Sequence, residues 1–457
     1  MKEYLERFFK LEEHKTNTKT EVIAGITTFM TMAYILAVNP KILGDCGMDK
    51  TAVFTATVIA STLATFLMGM FANLPFVLSA GMGLNAYFAY TVVQQMGCSW
   101  QLALAAVFTE GIIFIILSLT NVREAIFNAI PQCLKIGVTV GIGLYIAMIG
   151  LKSGGVIVGN PETFVSLVSF KTWSPATCSA ILTLLGIIIT ATLMHKKVIG
   201  SMLFGILATW VLGMMFEAGG LYVPDNDKFF SVIPTKIVST NFSLEPTLGG
   251  FIQGFNEIPR NLSGFLSFFS ILFAFLFVDL FDTIGTLIGC ASSGNMLDKD
   301  GKLPGIKGAL TADAIGTTIG AALGTSTVTT FVESASGVSA GGRTGLTALT
   351  ASGLFLISLF FSPLFLTIPA FATAPALVLV GYLMVTQIAK INFNDHTEAV
   401  PAYMSFISMP FFYSISEGIA FGIISYNFIN LISGKKEKIH PLIYILSILF
   451  ILKYALI

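Results

Sequence analysis

Apolar runs of roughly 15 to 25 residues, the length that crosses a bilayer's hydrocarbon, recur along almost the entire chain. That repetition restricts the fold to a polytopic membrane body. Backbone polar groups in lipid must be satisfied internally, so spanning segments are helices or closed barrels, and runs this long select helices. A first set is read at 21–40, 51–72, 76–95, 101–120, 133–150, 177–194 and 199–216. A second follows at 264–290, 308–323, 327–341, 345–362, 365–386, 398–413 and 416–433. Only 11% of residues are charged, against about 25% in soluble domains, and mean hydropathy is +0.83.

The two sets read as copies, in agreement with an internal duplication. Thr55-Ala56 followed by Gly69 recurs as Thr311-Ala312 followed by Gly324, and FVLSA at 76–80 recurs as FVESA at 331–335. Ile130-Pro131 is echoed by Ile368-Pro369. An odd number of spans per unit inserts the second copy upside down, the inverted-repeat plan of many secondary transporters. The expected fold is therefore an all-α polytopic membrane protein with fourteen spans as seven plus seven inverted repeats, and short extended segments in spans 3 and 10.

Charge placement supports a cytoplasmic N-terminus. The tail (Lys2, Arg7, Lys10, Lys15, Lys19), Arg123, Lys135, Lys196, Lys197, Lys299, Lys302, Lys307, Arg343, Lys390, Lys435, Lys436 and Lys438 then fall inside. Lys41, Lys50, Lys152, Lys171, Lys228, Lys236 and Arg260 fall outside. Residues 1–20 carry no apolar h-region, so the first span is expected to direct insertion. The segment 217–263, with Pro224, Pro234, Pro246 and Pro259, reads as an extracellular connection, and 434–457 as an interfacial segment or a short extra helix. A net charge of zero argues against nucleic acid. The scattered Cys46, Cys98, Cys133, Cys178 and Cys290 suggest neither metal nor disulfide, and no histidine cluster suggests metal.

Chemistry concentrates in a few polar positions. Asp279, Asp282, Thr283 and Thr286 share one face of the eighth span, because i, i+3, i+4 and i+7 align on a helix. Carboxylates at membrane depth cost about 2.5–3.5 kcal/mol on the mildest insertion scales and are functional by default. The bland alternative is an acid that caps or braces a neighbouring helix. Glu333 lies where the Thr-rich run 325–332 turns into a small-residue helix. Its partner break, Leu78 to Asn85, is expected to present half-helix backbone from the opposite side. Asp313 reads equally as a helix cap or as part of a proton path. Glu110 reads as a buried structural acid, and Arg343 as a topology determinant. Two or three carboxylates, hydroxyls and nearby Phe277, Phe281 and Phe331 suit a small planar solute offering N–H donors. Acids close together and buried also suit proton exchange, so the expected coupling ion is a proton, with no further cofactor.

Four blocks, AGITTFMTMAYILAVNP, SAGMGLNAYFAY, FVDLFDTIGTLIG and TFVESASGVSAGGRTGLTA, resemble the azaguanine-type purine permeases, the hypoxanthine/guanine/adenine branch of the second nucleobase:cation symporter family. The resemblance covers essentially the whole chain. It implies a core domain (21–121 and 264–363, spans 1–4 and 8–11) that carries the base, and a gate domain (122–216 and 364–433). It also implies homodimers through the gates, an elevator-like movement of the core, and residence in the cell membrane. By motif position it places Asn85, Asp279 and Glu333 at the substrate, with Asp282 supporting; Ser334 and Ala80, at the two breaks, complete the candidate set. Proton-coupling candidates are Asp279, Asp282, Asp313 and Glu333.

Rival readings are a channel, a carrier of the same fold for xanthine, uracil or another small solute, and an intramembrane aspartyl protease. Paired interrupted spans favour alternating access over a channel. The protease requires catalytic acids on separate helices and a GxGD-type sequence, whereas Asp279 and Asp282 share a helix.

Overall fold

The computed structural model describes residues 2–119, 129–224, 230–258, 261–298 and 303–456. Arg123, Lys228, Pro259, Arg260, Lys299, Lys302 and the 121/122 boundary lie outside these.

In chain order, α1 (Lys2–Phe9) precedes α2 (Thr18–Met32), which Asn17 caps by accepting from the Thr20 amide at 3.0 Å. The first apolar run breaks at Ala33-Tyr34 and continues as α3 (Ile35–Gly44). Next come α4 (Lys50–Leu67), capped by Asp49 and continued by a π turn (Met68–Ala72), strand β1 (Leu78–Ala80), and α5 (Met82–Ala86), prolonged by a π-helical stretch (Tyr87–Gln95). The series continues with α6 (Trp100–Leu119), α7 (Gln132–Ser153), strands β2 (Ile157–Asn160) and β3 (Phe164–Leu167), α8 (Pro175–His195) and α9 (Ser201–Ala218). The connection carries α10 (Gly250–Glu257) and leads to α11 (Leu262–Ser293), α12 (Ile306–Leu323), β4 (Val328–Thr330) and α13 (Ser334–Ser339). The last elements are α14 (Gly345–Ser358), α15 (Ser362–Thr367), α16 (Ala370–Val385), α17 (His396–Phe412), α18 (Ile415–Ile432) and α19 (Pro441–Leu456).

Ten helical segments among the described residues are long and apolar enough to cross a membrane. The runs at 76–95, 308–323, 327–341 and 398–413 are not among them. Spans 3 and 10 are interrupted by strands, α12 is rich in Thr, Gly and Ala, and α17 has 17 residues with two internal prolines. The extended segments expected in spans 3 and 10 are present. A further departure from an all-α body is the hairpin β2–β3, nucleated where Asn160 Oδ1 accepts from the Glu162 and Thr163 amides.

Strands β1 and β4 pair antiparallel, Leu78 opposite Thr330 and Ala80 opposite Val328, although about 250 residues separate them. Gly81 N–H to Thr327 and Phe331 N–H to Val77 extend the ladder. A threonine on each preceding helix anchors the strand: Thr65 accepts from the Leu78 amide and donates to its carbonyl, and Thr317 treats Val328 in the same way. In these anchors Val328 takes the place of Leu78, whereas the FVLSA and FVESA letter match sets Leu78 against Glu333. The motif letters coincide, but FVESA follows its strand while FVLSA enters one.

Helices α2, α4, α6, α12 and α14 pack mutually around this sheet, while α7, α16, α17 and α18 form a second packed set. Helix α19 runs antiparallel to α18. Tyr426 near the end of α18 donates to the Lys438 carbonyl at 3.4 Å, and Tyr454 donates to Glu417 at the α18 start. Ile443, Leu446, Ser447 and Phe450 form its buried stripe, whereas Ile445, Ile448 and Leu452 are exposed.

Candidate functional site

The strand pair brings Glu333, Ser334 and Thr329 from span 10 beside Ala80, Gly81 and Asn85 from span 3, and α11 lays its acid stripe against them. Gly81 is required by this crossing: a Cβ there would lie 2.6 Å from Thr329 Cγ2 and 3.7 Å from Asp282 Oδ2.

The acids divide by exposure. Asp279 and Asp313 are wholly buried, whereas Asp282 and Glu333 retain partial exposure. Between the two buried acids stands Thr283, whose hydroxyl lies 3.0 Å from Asp279 Oδ1, 2.7 Å from Asp313 Oδ1 and 2.7 Å from Thr329 Oγ1. Each hydroxyl carries one proton and two lone pairs, so all three contacts are hydrogen bonds at once only when one of the aspartates is protonated. The geometry brings the two aspartates to one shared hydroxyl.

Asp313 does not cap a helix. Helix α12 starts at Ile306 with Gly305 in the left-handed region as its cap, so Asp313 lies two turns inside. The sequence places this span at 308–323, and the helix begins two residues earlier, at Ile306.

Glu333 precedes α13, and its Oε1 accepts from the Tyr34 hydroxyl at 2.6 Å. The α13 amides are already used: Ser334, Ala335 and Ser336 N–H donate to Phe331, Val332 and Glu333 carbonyls. They are therefore not open donors of the kind expected from a half-helix at span 10. Ser334 Oγ accepts from the Val77 amide at 3.0 Å, Asn85 Oδ1 accepts from Ser326, and the Ala80 carbonyl accepts weakly from Asn85 Nδ2 at 3.4 Å. These three positions tie the two breaks to each other.

Three polar residues, Tyr34, Asn39 and Glu21, escaped the sequence reading, and two others have more partners than it gave them. Tyr34 is fully buried in an apolar run where a hydroxyl must find a partner. Asn39 donates to Thr57 at 2.7 Å and Thr325 at 3.0 Å, bracing the start of the span-10 strand region. Glu110 is more than a lone structural acid, because Thr327 donates to its Oε2 at 2.7 Å. Glu21 is wholly buried and accepts from the Arg343 and Thr344 amides and the Thr347 hydroxyl, which caps α14 from the first span. Arg343, besides its charge, closes α13 by donating to the Val338 and Gly342 carbonyls.

A cavity of about 540 Å³ lies elsewhere, lined by Lys41, Asp45, Lys50, Tyr222 and Phe371 among others, and includes none of the four acids. The site is defined by converging polar side chains rather than by that void. All five cysteines are free thiols, and no cluster of metal-ligating residues occurs among the described residues.

Interrupted helices crossing at a strand pair, with acids gathered there inside an apolar helical body, are the architecture of a membrane transporter. The transmembrane domain of the cyanobacterial bicarbonate transporter BicA shares this fold at a TM-score of 0.62 and 14% identity, over 87% of this chain and 97% of that one. SLC26A9 matches at 0.61 and 12% over 91% of this chain and 65% of that one. A family model described as the Permease family (Xan_ur_permease) matches residues 19–421. The chain belongs to that family. It is 47% identical over 452 residues to a putative permease of Methanocaldococcus jannaschii, covering 99% of this chain and 98% of that one. It is 43% identical over 453 residues to the adenine permease AdeP of Escherichia coli, covering 99% and 96%. It is 42% identical over 449 residues to the guanine/hypoxanthine permease PbuO of Bacillus subtilis, covering 97% and 99%.

Proposed function

We propose that this permease imports purine nucleobases (adenine, guanine or hypoxanthine) across the cell membrane together with protons, by an elevator-like movement of a core domain against a dimeric gate domain, with its N-terminus in the cytoplasm. The observation that carries the reading is the meeting of four carboxyls, two partly exposed and two buried behind them, at the crossing of the interrupted spans. In this reading Glu333 and Asp282 meet the N–H edge of the base. Asp279 and Asp313 hold the coupling proton through Thr283. Asn85, Ser334 and Ala80 keep the two breaks in register so that the acids stay aligned.

Fourteen crossings in two inverted repeats fit the matched use of Thr65 on Leu78 and Thr317 on Val328, and the odd span count per repeat. Full-length likeness to adenine and guanine/hypoxanthine permeases supports the substrate class. Carboxylates at the crossing disfavour anions, which they would repel.

Radiolabelled purine uptake into proteoliposomes tests the reading. An inside-alkaline pH gradient should drive accumulation that a protonophore abolishes, and Glu333→Ala and Asp282→Ala should each remove it. Accumulation of xanthine or uracil instead of any of the three purines would move the substrate assignment, and transport indifferent to the gradient would refute proton coupling.

A further inference from the structure

The face that α2 turns toward the site forms a short series of contacts with the Glu333-bearing segment. Gly337 sits so close that a Cβ there would collide with Thr28 Oγ1 and lie 2.9 Å from the Ala24 carbonyl. One turn further along α2, Thr31 Oγ1 lies 2.9 Å from Ser336 Oγ. Next comes Tyr34, at the break between α2 and α3, donating to Glu333 at 2.6 Å. Residues 24, 28 and 31 follow helical spacing on one face. These backbone and hydroxyl contacts already seat α13 on α2 without Tyr34.

A buried tyrosine hydroxyl ordinarily takes whichever acceptor is nearest, most often a backbone carbonyl. Here it takes the side chain of a partly exposed acid at the transport site, and a charge-assisted bond of this length is about twice as strong as a neutral one. Ala33 and Tyr34 keep right-handed helical dihedrals where α2 passes into α3, so Tyr34, three residues after Thr31, continues the face that meets α13.

We propose that Tyr34 is a positioning residue for purine binding: by filling one acceptor position of Glu333 it fixes the carboxylate's rotation, so that the remaining acceptor positions are aligned for the N–H edge of the base. The assignment rests on the purine-carrier reading. It concerns a residue that touches Glu333 and not the solute.

The test compares purine uptake and equilibrium binding by purified, reconstituted wild type, Tyr34→Phe, Thr31→Val, Glu333→Gln and the Tyr34→Phe/Glu333→Gln pair. Phe keeps the ring and its packing, so the variant should fold. Loss of a hydrogen bond to a charged group should raise KM and Kd for purine about tenfold or more, with Vmax changed less than about twofold. Thr31→Val, which loses a neighbouring α2–α13 hydroxyl contact without touching the carboxylate, should keep wild-type KM. In the Glu333→Gln background Tyr34→Phe should add little, because a residue acting through another is non-additive with it. Wild-type KM in Tyr34→Phe, an equal rise in Thr31→Val, or fully additive effects in the pair would each overturn the assignment. Failure of the wild type itself to bind purine would overturn the purine reading instead.

Discussion

Replacing Thr283 by Val tests whether the buried aspartate pair operates as one proton-holding unit. The side chains are nearly equal in volume, so the change removes a hydroxyl while leaving the packing of α11 on α12 and β4. Three contacts disappear, at 3.0, 2.7 and 2.7 Å. Bonds to carboxyl groups contribute about 1.5–3 kcal/mol each when charged and about 1 kcal/mol when neutral, so the loss is about 3–5 kcal/mol in total, with the usual non-additivity within a network. At least one of those bonds exists only when a carboxyl is protonated, and as a neutral bond it puts about 1 kcal/mol of the loss on the protonated state, a roughly fivefold weakening of proton retention. Purine accumulation under a pH gradient should therefore fall about fivefold in Thr283→Val proteoliposomes. Exchange of internal for external purine without a gradient should persist, and Thr283→Ser should restore accumulation. Wild-type accumulation by Thr283→Val, or failure of Ser to rescue it, would refute the shared-proton argument.

Gly81→Ala should reduce uptake by more than about tenfold, since the new Cβ meets Thr329 Cγ2 at 2.6 Å at the strand crossing; relief by a second change, Thr329→Ser, which deletes that methyl, would identify the clash as the cause. Asp395, in the turn before α17, has its carboxyl held below the usual carboxylate range first by the Thr397 hydroxyl and then by Lys435. A depressed folded-state value gives stability that is complete above the unfolded pKa near ~4 and is lost as pH falls below it. The thermal midpoint of the wild type in detergent should accordingly decline faster below about pH 4 than that of Asp395→Asn. Helix α19, antiparallel to α18 and with an apolar outer face, should cross the membrane: a reporter fused after Ile457 should read out on the opposite side from one inserted at 435–438, and readings on the same side would place α19 at the interface.

The stripe on α11 was legible because 3.6-residue periodicity places Asp279, Asp282, Thr283 and Thr286 together. Periodicity cannot say which neighbour covers which part of a stripe, and here α12 and β4 bury Asp279 and Thr283 while Asp282 stays partly open. The span-10 strand was legible from its Thr-rich, β-branched run and the span-3 strand from its likeness to that break, but their alignment was not, since it depends on hydroxyl anchors from Thr65 and Thr317 that no local letter match encodes. Glu21 escaped notice because it abuts a charged tail and looks like part of it. Tyr34 escaped because a tyrosine among apolar residues carries no period of its own, and only the packing of α13 on α2 brings Glu333 to it.

These omissions share a cause, and it bears on mechanism. Each of these side chains, and Glu110 with them, links an element of the first half of the chain to one of the second: Glu21 to the start of α14, Tyr34 to Glu333, Asn39 to Thr325, Glu110 to Thr327. Local sequence reading finds the acids of the second half, whereas these links to residues 325–333 come from side chains more than 200 residues away. An antiparallel strand pair of three residues per strand provides few ladder bonds, too few for stability alone. The crossing therefore depends on these polar links, in a region where an unmet hydrogen bond is costly. If purine entry required the two breaks to separate, all of them would have to open together. A carrier in which the crossing moves as one body keeps them intact, and that economy is the structural argument for rigid movement of the core over rearrangement within it.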